Sequence, residues 1–419
     1  MFRGLLFVDG VEVTNNARTV AHIRNGIRPP SMTMRNEDRV WPHTARLLGV
    51  APFELPTTAP WYDPADSASL EFAGALVLAV DGLETSTRIT EVIDGVGDGA
   101  SFGLDRHAAR EITVSALVVA ATSAGATYGL RWLTNTLAAG PATLRFLDDA
   151  PSLPPSYTEG QTQAAMAGRW RSVHQVVCTT PPTIDTRFGR SEDVQASVFA
   201  VRWTWTAGAP HLWHDPVPIV SDLTLDGLSV QHPAWQIAVE GACDTGCSDD
   251  GVTVLRDPLL PVVDRIVPSS TVGIAATCTP LEFLRAATVI AGKPSRLSTP
   301  ESTIVTVTTA GAAVRNLRMQ WVRDPLGPPA ESDTCGAVAE MAVMYLPATS
   351  TLTLHGPTGL AWCETPSGRL DALAVVRGRA GGPWMPMLLD SAEPYALIID
   401  ADPTTSVSID VATAVRDHR

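Results

Sequence analysis

The stretch REITVSALVVAATSAGATYGLRWLTNTLAAGPATLRFL (Arg110–Leu147) runs through three patterns in turn. Arg110–Ala121 is dense in β-branched residues and reads as a strand. Ser123–Ala139 reads as a helix. Ser123 is placed to cap it, and Tyr128, Trp132, Leu133 and Leu137 fall near one face. Gly140-Pro141 stops that helix, and Thr143–Leu147 resumes as a strand. No other segment has a comparable helical pattern, so the chain is expected to be mainly β.

Working outward, Leu5–Thr14 holds two short apolar runs around Asp9-Gly10, a hairpin signal. Arg24–Pro60 is irregular and proline-rich, the composition of a long excursion or docking arm. Leu70–Val80 and Ile89–Val96 read as strands, followed by a turn-rich connection at Gly95, Gly97, Gly99 and Gly103. Arg169–Thr180 and Val194–Trp205 add two more. The two-residue period puts Val201, Trp203 and Trp205 on one face and Arg202 and Thr204 on the other. Gly208–Pro218 looks like a domain boundary. Asp222–Ser302 is mixed, with a short helix expected near Leu281–Ala287.

From Thr303 onward strands follow at turn spacing: Thr303–Thr309, Val314–Val322, Ala337–Tyr345, Thr351–Leu354, Ala372–Arg377, Tyr395–Asp400 and Ser406–Ala412. That regularity predicts a β-sandwich or jelly roll of about 120 residues. The expected division is a first domain over 1–215, a linker or adaptor over 216–302, and a C-terminal sandwich over 303–419.

The chain has 419 residues, of which 45% are hydrophobic and 18% charged, enough apolar material for real cores and too much for a disordered chain. Thirty basic against 44 acidic residues give a net charge of −14, the wrong sign for a general nucleic-acid binder. Lys293 is the only lysine, so nearly every cation can pair in planar, bidentate fashion. No apolar run approaches the ~18 residues of a membrane span, and the opening MFRGLLFVDG lacks the apolar core of a signal peptide. A soluble protein made in a cytoplasm, without membrane insertion, is the expectation.

No motif carries a catalytic signature. His211-x-x-His214-Asp215 has metal-ligating residue types, but prolines flank it and no helix aligns the two rings. Cys243-x-x-x-Cys247, with Cys278 beyond, fits a local disulfide, part of a zinc site, or free thiols. Asp148-Asp149 and Asp249-Asp250 are turn acids, with calcium a second reading. There is no Gly-x-Ser-x-Gly elbow and no His-Glu-x-x-His. A hydrolase would need a carboxylate pair or a metal site, so the expectation is a non-enzyme without cofactor or metal. Trp362 and Trp384 are read as loop residues of the last sandwich, placed to stack on sugars, with core packing as the plainer reading.

Several segments resemble a known family, the minor tail proteins of actinobacterial siphophages related to the distal tail protein. They are VDGVEVTNNARTVAHIRNG (Val8–Gly26), GLDRHAAREITV (Gly103–Val114) with YGLRWL (Tyr128–Leu133), RNLRMQWV (Arg315–Val322) and MYLPATSTLTL (Met344–Leu354). The resemblance implies an N-terminal hub domain of the β-sandwich or split-barrel kind, and a galectin-like or carbohydrate-module-like C-terminal domain. It implies a homo-hexameric ring at the tip of a long non-contractile tail, between the tail tube protein and the hub or baseplate protein. It further implies a virion component assembled in the host's cytoplasm. Within that picture Arg24–Pro60 is an arm, and Arg28, Arg35, Arg39 and Arg46 pair with acids of the neighbouring subunit. An acidic lumen would let DNA pass without sticking. The alternative is a peripheral tail protein whose sandwich binds host cell-wall glycan.

Overall fold

The computed structural model describes residues 4–25, 56–94, 100–148, 156–189, 197–225, 229–232, 281–292, 299–323, 337–378, 382–401 and 405–417. The chain divides into two units, Met1–Asp215 together with Arg416–Arg419, and Pro216–Val415. The second unit is thus inserted into the first.

The first unit runs β1 (Leu5–Val8), β2 (Val11–Asn15), α1 (Asn16–Asn25), β3 (Phe72–Asp81), β4 (Arg88–Asp94), β5 (Ala100–His107) and β6 (Arg110–Ala120). It continues with α2 (Ser123–Leu137), β7 (Ala142–Leu147), α3 (Glu159–Ala167), β8 (Trp170–Phe188), β9 (Val198–Ala207) and β10 (Trp213–His214). Strands β2-β1-β7-β8-β9-β6-β3 form one antiparallel sheet, and β10 adds to β8. Asp9 (φ 47°) and Gly10 (φ 83°) both sit at positive φ, the turn that suits a two-residue hairpin.

The two ends of this sheet meet. The Asn16 side-chain amide donates to the Val77 carbonyl and accepts from the Val77 N–H, both at 2.8 Å, in place of a strand pair. Gly4 (φ 74°) makes room for it, since a Cβ there would lie 2.3 Å from Asn16 Cγ. Asn16→Ala will cost the first unit about 1–3 kcal/mol, because it strands a backbone donor and acceptor; urea unfolding measures the loss.

Inside lies the core: Leu6 and Val13 from the hairpin, Phe72 from β3, Ile112 and Val114 from β6, and Phe199, Val201, Trp203 and Trp205 from β9. The alternation of β9 is as the sequence predicts, with Trp203 and Trp205 packed edge to face at 5.7 Å. Helix α2 lays Tyr128, Leu133 and Leu137 on this core. Gly129 lets it sit tight: a Cβ there would lie 2.4 Å from the Phe72 ring.

Three local expectations change. The cap of α2 is Thr122, whose hydroxyl accepts from the Gly125 N–H at 3.1 Å, not Ser123. Strand β8 does not stop at Thr180. It passes through Pro181-Pro182 because the register shifts there, and a bulge tolerates residues that cannot donate. Helices α1 and α3 were not expected. Helix α3 opens on a capping box of Thr158 and Gln161, a pattern legible in Thr-x-x-Gln.

The second unit is a sandwich. One sheet orders β11 (Val217–Thr224), β23 (Val407–Val415), β14 (Pro300–Thr309), β17 (Thr351–His355), β18 (Leu360–Thr365) and β19 (Gly368–Asp371), with β21 (Leu388–Asp390) on β14. The other orders β12 (Ser229–His232), β13 (Leu281–Ile290), β22 (Tyr395–Ala401), β15 (Val314–Arg323), β16 (Ala337–Leu346) and β20 (Val376–Gly378). Val305, Leu352 and Ile409 from the first meet Leu317, Trp321 and Ile399 from the second in one core.

The described parts of 216–302 belong to this unit rather than to a separate linker, since β11, β12 and β13 lie within these sheets. Nor is Leu281–Ala287 a helix. Leu281–Leu284 pairs with β12 and Leu284–Ala287 with β22, and Arg285 bonds Asp400 through two charge-assisted contacts of 2.6 and 2.9 Å. Pairing with a distant strand overrides a short helical spacing.

Candidate assembly site

Strands β4 and β5 belong to none of the three large sheets. They form a two-stranded sheet of their own. Their register pairs Ile89 with Arg106 and Val92 with Phe102, with a bulge between Thr90 and Val92. The extra residue is on β5, so β4 keeps its two-residue alternation: the cross-strand pair Val92 and Phe102 lies on one face, and Ile89 and Ile93 lie on the other. Both faces carry open apolar side chains: Val92 is 57%, Ile93 53%, Phe102 73% and Leu104 92% exposed.

The base of this hairpin is held firmly. Arg110 is buried, and its guanidinium donates to the carbonyls of Pro210 (2.7 Å), Gly82 (2.8 Å) and Leu83 (3.1 Å), gathering both legs. His107 bonds Ser86 at 2.6 Å, and its ring meets that of His211 at 4.9 Å. Burial, then the charges of Arg416, His107 and Arg110, lower the His211 pKa to about 4. In the second unit burial, then Arg369, lower His355 to about 4 as well. Both rings stay neutral in the folded chain while an unfolded histidine takes a proton near its ordinary value. Their contribution is full above about pH 6.5 and is lost as pH falls toward 4. Melting temperature is expected to drop between pH 7 and pH 4.5.

An isolated two-stranded hairpin is marginal in water, and one with an apolar face is soluble only if something covers it. Full burial of each such side chain is worth about 1.5–3 kcal/mol. The hairpin is an arm, anchored at its base, with uncovered apolar side chains. Its first strand is legible in Ile89–Val96, but its second falls in the stretch read as a turn-rich connection through Gly99 and Gly103.

The other expected sites fall out as follows. Arg28, Arg35, Arg39, Arg46, Cys243, Cys247 and Cys278 lie outside the described residues, as do Asp149, Asp249 and Asp250. His211, His214 and Asp215 do not converge on a shared centre. Asp215 takes two bonds from Arg145, at 3.1 and 2.5 Å, while His214 lies 4.0 Å from Asp417. Asp417 also accepts from Arg171 at 3.0 Å, which anchors the returning chain beside β10. Trp384 is not displayed: it is 7% exposed and part of the sandwich core. Trp362 is not in a loop but on β18, on the outer face of its sheet, with the Arg369 guanidinium 4.0 Å from its ring centre. No helix among the described residues is long and apolar enough to cross a membrane.

No protein-family model matches the chain, and no curated protein does. Solved structures do. The SPP1 Dit (gp 19.1) protein, described as a paradigm of the hub adsorption apparatus in phages infecting Gram-positive hosts, aligns at 13% identity. It covers 83% of this chain and 94% of its own, with a TM-score of 0.37. The chain is similar to a phage Dit protein. A chain of the phage p2 baseplate in its activated conformation with Sr aligns at 5% identity over 85% of this chain and 93% of its own, TM-score 0.39. The corresponding structure with Ca gives 6%, 82%, 94% and 0.35. At these identities and scores no residue's role carries across.

Proposed function

We propose that this chain is a structural component of a long phage tail tip. It forms a hexameric distal-tail ring that joins the tail tube to the hub and supports host adsorption. The observation that carries the reading is the β4–β5 arm, a hairpin with exposed apolar side chains on both faces that an assembly would cover. In a closed ring each subunit offers one surface and receives another, so the same arm serves every interface. The net charge of −14 suits a lumen through which DNA slides without sticking. The role needs no catalysis and no cofactor. Its partners are further copies of the chain, the tube protein and the hub protein.

Negative-stain imaging with light-scattering mass tests this. Six-fold rings, of the chain alone or on addition of tube protein, are expected. A chain that stays monomeric with both tube and hub proteins present overturns the ring.

A second reading is favoured by Trp362 on the outer face of the sandwich: the second unit grips host cell-wall glycan.

A further inference from the structure

The sheet containing β14, β17, β18 and β19 alternates cleanly along its strands. Val305, Val307, Leu352, Leu354, Ala361 and Cys363 point into the core, and the residues between them face outward. The register aligns those outward residues into rows across the strands. One row is Thr306, Thr353, Trp362 and Asp371; the next is Thr308, Thr351, Glu364 and Arg369. Neighbouring strands lie about 4.8 Å apart, so each row is a ladder with one polar group per strand step. At its centre is an indole.

We infer that this face is a binding strip for an uncharged polysaccharide, lying across the strands with one sugar ring on Trp362. The inference rests on the second reading above, and it replaces the loop tryptophans with a strip on strands. The chemistry selects the ligand. An indole offers a flat face to the C–H side of a sugar ring, while Asp371 and Glu364 accept from sugar hydroxyls and Thr353 and Thr351 can donate or accept. A protein partner would want a cluster of apolar anchors, and Trp362 is the only large aromatic in these two rows. Nucleic acid or an anionic glycan would meet Asp371, Glu364 and, two strands from Thr353, Asp410, with Arg369 the one cation in the rows.

Arg369 covers the outward face of the half-buried Trp362 ring when nothing is bound. Its guanidinium lies over the ring, and the Arg369 side chain is itself exposed. A cation on a long, solvated stem is a cheap cover, so a sugar displaces it at little cost. Arg369 is therefore a lid on the stacking position, and the carboxylates and hydroxyls around it supply the polar contacts.

The test uses the full chain. Neutral hexasaccharides, β-1,4-linked glucose and N-acetylglucosamine hexamers among them, are screened on an array and the best is titrated by calorimetry and by tryptophan fluorescence. Binding is expected, with at least a tenfold loss in Trp362→Ala, a smaller loss in Trp362→Phe, and at least a threefold loss in Asp371→Asn. Arg369→Ala is expected to bind as well as the parent or more tightly. Three results overturn the strip: no neutral oligosaccharide bound at millimolar concentration, a Trp362→Ala chain that folds by circular dichroism and binds like the parent, or Arg369→Ala losing binding as Trp362→Ala does. Ring imaging of the same variants separates the readings, because the strip can fail while rings still form.

Discussion

Asp400→Ala is expected to melt the second unit well below the first. Arg285 and Asp400 form a bidentate pair with side chains 6% and 4% exposed, on adjacent strands β13 and β22. Removing one partner leaves the other charged, desolvated and short of its match, a loss of about 3–5 kcal/mol. Differential scanning calorimetry of the full chain is the measurement. The transition of the second unit should move down, and that of the first should stay. The double change Arg285→Met with Asp400→Leu should recover much of the loss, since a packed apolar pair carries no desolvation penalty. A single Asp400→Ala variant that melts like the parent would show that the pair is solvated and that β13 is not held as described.

Phe102→Ser with Leu104→Ser is expected to abolish assembly while leaving the subunit folded. Both side chains are exposed in the subunit, so the subunit loses little by the exchange. If the hairpin is buried between subunits, each interface loses about 3 kcal/mol or more, which is over a hundredfold in association and is multiplied around a closed ring. Light scattering with tube protein present should report monomer, and the thermal melt should match the parent. Rings formed normally by the double variant would assign the interface to another surface.

These two experiments bear on different levels of the molecule. The first concerns how the inserted sandwich is held, and the second concerns what the first unit is for. The return of the chain at Arg416 and Asp417 links the two questions. Because Asp417 pairs with Arg171 and its N–H donates to Leu212 at 2.8 Å, residues 416–417 complete the first unit.

What the sequence determined by itself was local. The Asp9-Gly10 turn, the alternation through Val201, Trp203 and Trp205, and the stripe on Ser123–Leu137 each follow from contacts or backbone preferences within a few residues. The same holds for the mainly β class, which is the sum of such segments. The tertiary structure alone decided the rest. Leu281–Ile290 is a strand because Asp400, 115 residues from Arg285, offers it a partner. Trp384 is core and Trp362 is surface although both are tryptophans in turn-rich surroundings, because burial depends on which sheet closes over them. The β4–β5 hairpin stands bare because no other described strand joins it, a fact about packing that no period in Arg88–His107 encodes. Local propensity is carried by neighbouring residues. Burial and pairing are set by residues a hundred or more positions apart, and their energies outweigh the local ones wherever the two disagree.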